Sequence, residues 1–272
     1  MSDQIRQLEP SAPWNLFADL NAIPRASKKE ERIAQWVRDF GQKHNLETIS
    51  DDFGNIILKK PATKGRENSP TTILQGHLDM VHSKNADVSF DFENQGIEMY
   101  VDGDWVRARG TTLGADNGLG VAAILAVLAS KDIPHPALEA LFTLDEEQGL
   151  SGAKKLGRGL LKGEVLLNLD TEEDHVLTIG CAGGVDTLIE WTYGEKLAAE
   201  HLQAFEVKVS SLRGGHSGMD INQGRGNANK ILARVLMALS DAGLRIASFE
   251  GGNLRNEIPR EAKATVLVKN EK

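Results

Sequence analysis

Runs of β-branched residues that end in acid and alternate with helical stretches predict an α/β fold. The expected architecture is a mostly parallel sheet flanked by helices on both faces, followed by the start of an α+β lid domain. Three observations carry this expectation. "NIILKK", "TTILQGHLD", "ALEALFTLDEEQG" and "GEVLLNLDTEE" are apolar runs of strand length. Between them the Gly-rich "TTLGADNG" runs into "LGVAAILAVLAS", which reads as a buried helix and makes the pattern one of alternating strands and helices. After about residue 187 the order changes to strand, helix, strand, strand. Two domains are therefore expected, over residues 1–187 and 188–272, the second stopping without a closing helix.

In chain order, Trp14, Leu16, Phe17 and Leu20 recur at helical spacing. After "IPRAS", Ser27 is placed as the N-cap of a second helix whose apolar face is Ile33, Trp36, Val37 and Phe40. "NIILKK" and "TTILQGHLD" are strands separated by the polar loop "PATKGRENSP". "GIEMYVDGDWVRARG" is a hairpin turning at Asp102-Gly103. A helix is expected from Ser151. In the second domain "QAFEVKVSSL", "LRIASFEGG" and "AKATVLVKN" are strands, and "GNANKILARVLMALSDAG" is a helix presenting Ile231, Val235 and Leu236.

Composition narrows the function classes. With 31 basic and 39 acidic residues the net charge is -8, which disfavours nucleic acid and anionic membrane surfaces as partners. The main apolar run is too short for a bilayer, which needs roughly 20 residues. The N-terminus lacks the basic start and apolar stretch of a signal peptide. One cysteine, Cys181, permits no intrachain disulfide, which suits a reducing compartment. These point to a cytoplasmic protein.

Ligands of open parallel sheets bind beyond the carboxyl ends of the strands. The expected strand ends carry His77 and Asp79, Glu146 and Glu147, and Asp170, while the Gly-rich loop adds Asp116. Singly, each has an ordinary explanation: Asp116 as a helix N-cap, the two glutamates as solvated acids, Asp170 closing a turn, His77 as a satisfied core histidine. Jointly they are strained, because like charges in one crevice repel and raise each other's pKa. Divalent ions remove the strain. Imidazole with carboxylates suits zinc, with cobalt or manganese as alternatives, and carboxylates bridging two ions form a known hydrolytic arrangement.

"GHLDMV", "GTTLGADNGLG", "LDEEQGLSGA" and "LNLDTEE", in this order, resemble the zinc-dependent exopeptidase family of aminoacylases, glutamate carboxypeptidases and dipeptidases. "CAGGVD", "SLRGGHSGMDI", "GNANK" and "GGNLRNEIPREA" extend the resemblance toward its carnosinase-like branch, which cleaves Xaa-His dipeptides such as β-alanyl-histidine. It implies a dipeptide substrate, two divalent ions and a homodimer as an assembly compatible with the family. Residue by residue it implies His77 and Asp170 on one ion, Glu147 on the other and Asp116 bridging. Glu146 would be the general base acting on a metal-bridging water, and Asp79 would orient His77. His216 in "RGGHSG" would stabilise the oxyanion, and Asn256 in "RNEIP" would lie near the substrate. A substrate-binding arginine of some relatives is replaced by Lys269. His44, His82, His135, His175 and His201 have no role in this scheme.

The family completes its second metal site with a histidine near the end of a much longer chain, and none of the seven histidines here matches it. The resemblance thus covers the front half to three-fifths of a family member, with the catalytic domain also incomplete. Weak metal binding at the second site and little activity are expected of these 272 residues alone. Two alternatives remain: an amidohydrolase acting on N-acyl amino acids, or a non-catalytic interaction protein on the same scaffold.

Overall fold

A computed structural model describes residues 4–85, 88–171, 173, 175–181, 183, 185, 187–197, 201–252 and 256–269. Parts of "CAGGVD" and "GGNLRNEIPREA" lie outside the described residues. The chain divides into two compact units, Met1–Cys181 and Ala182–Lys272.

The first unit is an α/β layer built on a five-stranded sheet in the order β1-β2-β6-β3-β7. Its strands are β1 (Glu47–Ser50), β2 (Ile56–Lys60), β3 (Thr72–His77), β6 (Leu138–Thr143) and β7 (Val165–Asn168). The sheet is mixed rather than mostly parallel. β1–β2 and β2–β6 pair antiparallel, whereas β6–β3 and β3–β7 pair parallel. The parallel part is the part that matters, because its three strands lead into the candidate ligands. Register sets His77 beside Thr143 and Gln75 beside Asn168, so the three carboxyl ends finish almost level.

Alternation along the strands divides the core in two. Ile56, Leu58, Leu74 and Phe142 face a large cluster shared with α1 (Ser11–Asn21), α2 (Glu31–Lys43) and α3 (Ala115–Ala129). Ile57, Ile73 and Leu141 face the other way, where Leu156, Leu160 and Leu161 cover them. Among the described residues, α1, α2 and α3 cover the first of these faces. The helix placed from Ser151 is a single turn, α4 (Ser151–Lys154), and the chain after it shields the other face. All six residues of β6 are buried, as befits the middle strand. β4 (Met99–Asp102) and β5 (Trp105–Ala108) form the expected hairpin.

Ser27 is not a helix cap. The residue before α2 is Glu30, without a side-chain cap bond, and the Ser27 hydroxyl instead donates to Asp79 Oδ2 at 2.8 Å.

The second unit is an antiparallel sheet, β8-β10-β9, with one helix on it. Its elements are β8 (Leu202–Val209), α5 (Ala228–Ala238), β9 (Arg245–Gly251) and β10 (Ala262–Lys269). Asn227 caps α5 by accepting the Lys230 main-chain N–H. The helix buries Ala228, Leu232 and Leu236 against Ala262, Ala264 and Val266. The apolar face thus runs through Leu232, and Val235 is exposed. No described helix is long and apolar enough to cross a membrane.

Candidate metal centre

His77 ends the central part of the sheet and is only 1% exposed. Its Nε2 lies 2.9 Å from Asp116 Oδ1, 3.4 Å from Asp170 Oδ1 and 4.0 Å from Glu146 Oε2. His77, Asp116 and Asp170 offer donor atoms within 4.8 Å of one another, and so do His77, Glu146 and Glu147. The structure therefore gathers one imidazole and four carboxylates from three strand ends and the non-helical start of α3. Asp116 does not cap that helix. Its backbone is non-helical, and its carboxylate turns to the imidazole instead.

Asp79 is fully buried and does more than face the histidine. Its Oδ1 accepts the Glu146 main-chain N–H at 3.0 Å and lies 3.3 Å from His77 Nδ1. Its Oδ2 accepts the Glu147 N–H at 3.2 Å as well as the Ser27 hydroxyl. One carboxylate thus binds the backbone of the "DEE" turn to the end of β3. The nearer partner of His77 Nδ1 is the main-chain carbonyl of Asp79, at 3.1 Å.

The electrostatics show what the group lacks. Burial pulls the His77 imidazole down, but its bonds to Asp116, Asp170 and Asp79 outweigh this and hold it up at about 12. A proton there stands in for missing positive charge. Burial, then the neighbouring Asp116, push Glu147 up to about 7, and burial with Asp170 and Asp79 raises Glu146. Asp79 and Asp116 are held below the usual carboxylate range. For Asp79, burial is outweighed by the bonds it accepts from His77, Glu146 and Ser27, and for Asp116 the bond to His77 leads. Carboxylates pushed up beside an imidazole that is held protonated are a donor set short of cations, and the imidazole-carboxylate chemistry fits divalent ions.

A second buried trio, Glu30, Asp79 and Asp145, adjoins this group. Glu30 accepts the Asp145 N–H at 3.0 Å and Ser151 donates to Asp145 Oδ2 at 2.5 Å. Both oxygens of Asp79 are already taken, so the trio braces the turn.

In the second unit, the "RGGHSG" loop pairs with "NEIP". Ser217 donates to the Asn256 carbonyl at 2.8 Å and Ile258 to the Gly215 carbonyl at 2.7 Å. His216 is exposed, and its Nδ1 accepts the N–H groups of Gly218 and Met219, both at 3.1 Å. Those bonds place the imidazole proton on Nε2, as a donor. Lys269 is the last residue of β10. His135 is buried with Nδ1 on the Pro136 carbonyl, while His82 and His175 are exposed.

Sequence reasoning missed Arg25 and Asn117. Asn117 accepts the His77 N–H at 3.3 Å and donates to the Leu169 carbonyl. Neither residue type marks the role, since most of their partners are backbone atoms far away in sequence.

This arrangement can be set beside known proteins. A model of peptidase family M28 matches residues 55–217, and a peptidase dimerisation domain matches residues 207–272. The first match covers more than half of the chain, and the chain belongs to that family of peptidases. Among individual proteins it is 43% identical over 270 residues to the cytosol non-specific dipeptidase of Escherichia coli K12, a match spanning 99% of this chain and 56% of the relative. The crystal structure of aminoacylhistidine dipeptidase from Vibrio alginolyticus is similar at a TM-score of 0.64 and 40% identity, over 99% of this chain and 56% of that one. Aminopeptidase PepT of Bacillus cereus shares the fold, with a TM-score of 0.52 at 23% identity over 96% and 66% of the two chains. The chain spans a little over half the length of the two dipeptidases.

Proposed function

We propose that this chain carries the metal centre of a dipeptidase that hydrolyses unblocked dipeptides, with a preference for Xaa-His such as β-alanyl-histidine. The observation that carries the reading is the convergence of His77 with Asp116, Asp170, Glu146 and Glu147 in one crevice. The 43% identity to a cytosol dipeptidase supports the substrate class and a cytoplasmic setting.

In this reading His77 and Asp170 would hold one divalent ion, Glu147 would help hold a second, and Asp116 would serve both. Zinc is the favoured metal, with cobalt or manganese able to replace it. Bound ions would polarise the scissile carbonyl and acidify the attacking water. Glu146 takes the water's proton and returns it to the leaving amine, and burial, which raises its pKa, makes it a better proton acceptor than a solvated carboxylate. Asp79 keeps Glu146 and Glu147 in place through their backbone amides. His216, with its proton on Nε2, supplies a donor for the developing oxyanion, and Asn256 contributes to substrate binding. The dimerisation-domain match over residues 207–272 supports a homodimer; in this reading residues 1–187 are the catalytic domain and 188–272 the lid.

The test is Glu146→Gln in the full-length protein that contains these residues, loaded with Zn2+ or Co2+. Turnover of β-alanyl-histidine should fall by roughly 10²–10⁴-fold, while Co2+ affinity stays near that of the wild type. Unchanged turnover refutes the base assignment, and faster turnover of N-acetyl amino acids than of dipeptides refutes the substrate class.

A further inference from the structure

Arg25 lies in the short connection between α1 and α2 and is only 2% exposed. An arginine so deeply buried is uncommon, because removing a guanidinium from water is costly unless its donors are met. Here the four N–H groups of its two terminal nitrogens have four acceptors, while the buried Nε has none. Nη1 donates to the carbonyls of Leu78 and Asp79 at 3.1 and 3.2 Å. Nη2 donates to Asn21 Oδ1 at 3.0 Å and to the Gly114 carbonyl at 2.5 Å.

The segments it joins are not arbitrary. Leu78 and Asp79 directly follow His77, and Gly114 stands two residues before Asp116. The Asp79 carbonyl that Arg25 holds is the same one that meets His77 Nδ1 at 3.1 Å. The loop is shaped for the guanidinium. A Cβ at Gly114, whose φ is +71°, would sit 2.5 Å from Nη2, and one at Gly118 would sit 2.6 Å from it. Arg25 also places a fixed positive charge behind the acids. Burial lowers it to about 10, against the pull of Asp79, Asp116 and Glu147, so it stays charged at neutral pH.

We propose that Arg25 is a positioning residue of the metal centre, joining the β3 end to the Gly114 loop so that His77 and Asp116 are held at ligating distance. The proposal rests on the metal-centre reading above. A planar fork reaching acceptors on three segments is needed for this, and a lysine ammonium, with three donors on one nitrogen, does not reproduce it.

The test uses the full chain stripped of metal and titrated with Co2+, read by calorimetry and by the visible absorption of the bound ion. Arg25→Lys keeps the charge and loses the fork. It should weaken Co2+ binding by roughly 10–100-fold, the usual cost of losing a partner of a ligand, and change the shape of the absorption band in protein that circular dichroism shows to be folded. Arg25→Lys with wild-type affinity and spectrum overturns the proposal. His77→Ala separates the two readings: if it loses Co2+ binding while Arg25→Lys does not, the metal centre stands and the role of Arg25 falls. If His77→Ala binds Co2+ as the wild type does, the metal centre itself is refuted, and the role of Arg25 with it. Should Arg25→Lys not fold, Asn21→Ala frees one side of the guanidinium and should change the spectrum in the same direction, and an unchanged spectrum there overturns the proposal.

Discussion

Replacing Asp79 by Asn changes almost no volume, yet it should destabilise the metal-free protein by about 3 kcal/mol. Asp79 is fully buried, and its two oxygens accept the N–H groups of Glu146 and Glu147 and the hydroxyl of Ser27. An asparagine keeps one oxygen for one main-chain N–H and turns an NH2 toward the other. The Ser27 hydroxyl can rotate to accept, but a backbone N–H cannot. One buried N–H left without an acceptor costs about 1–3 kcal/mol, and the remaining bond loses its charge assistance, about 1 kcal/mol more. Relief of repulsion with the nearby acids does not cancel this, because Asp79 is held below the usual carboxylate range although burial pushes the other way. A carboxyl with a depressed folded pKa contributes stability above its unfolded value, near 3.8, and loses it as pH falls through the folded value. The deficit of Asp79→Asn should therefore be full at pH 7 and shrink in acid. Urea unfolding followed by circular dichroism measures it. A loss below about 1 kcal/mol at pH 7, with an unchanged dependence on urea, would show that Asp79 does not clamp the turn.

Three further outcomes are expected. Zn2+ at about 100 times its dissociation constant should stabilise the protein by about 2.7 kcal/mol, a chelator should reverse this, and His77→Ala should remove most of it in a thermal melt. Binding the first ion at pH 8 should release about one proton, because His77 is held at about 12 and must lose its proton to ligate; calorimetry in buffers of different ionisation enthalpy that shows no release contradicts the assignment. Glu147 is raised to about 7, so its contribution to metal-free stability is complete below its unfolded value and lost as pH rises through about 7. Glu147→Gln should accordingly flatten the fall in stability across that window, and an unaltered pH profile in thermal melts counts against it.

Much of the fold is legible from local pattern, and the misses have physical causes. The first two helices, the Asp102-Gly103 hairpin and the second-unit elements follow from periodicity and turn chemistry. β1 escapes notice because Glu47–Ser50 is four residues with no buried side chain. Sheet direction is not local: β2 runs antiparallel to β6 because Ile56 pairs with Phe142, a contact between residues far apart in the chain. For the site, the acids are visible because charge at strand ends is anomalous without a ligand. What holds them is not visible. Asp79 grips Glu146 and Glu147 through main-chain N–H groups, and Arg25 grips Leu78, Asp79 and Gly114 through carbonyls, atoms that every residue type provides. Ser27 shows the same limit, since the hydroxyl that suits an N-cap finds a carboxylate in another segment.

That Asp79 holds positions 146 and 147 by their backbone separates two kinds of inheritance. The location of the turn is encoded at Asp79 with Glu30 and Ser151, whereas the chemistry proposed for it is encoded in side chains that carry no part of this support. Substitutions at 146 and 147 can therefore alter what the crevice does while leaving the turn where it is. A change at Asp79 displaces both at once, whatever they are. Over evolutionary time such a scaffold can exchange one chemistry for another without first rebuilding its frame, and a designer seeking a new reaction here would vary the two glutamates and leave Asp79 alone.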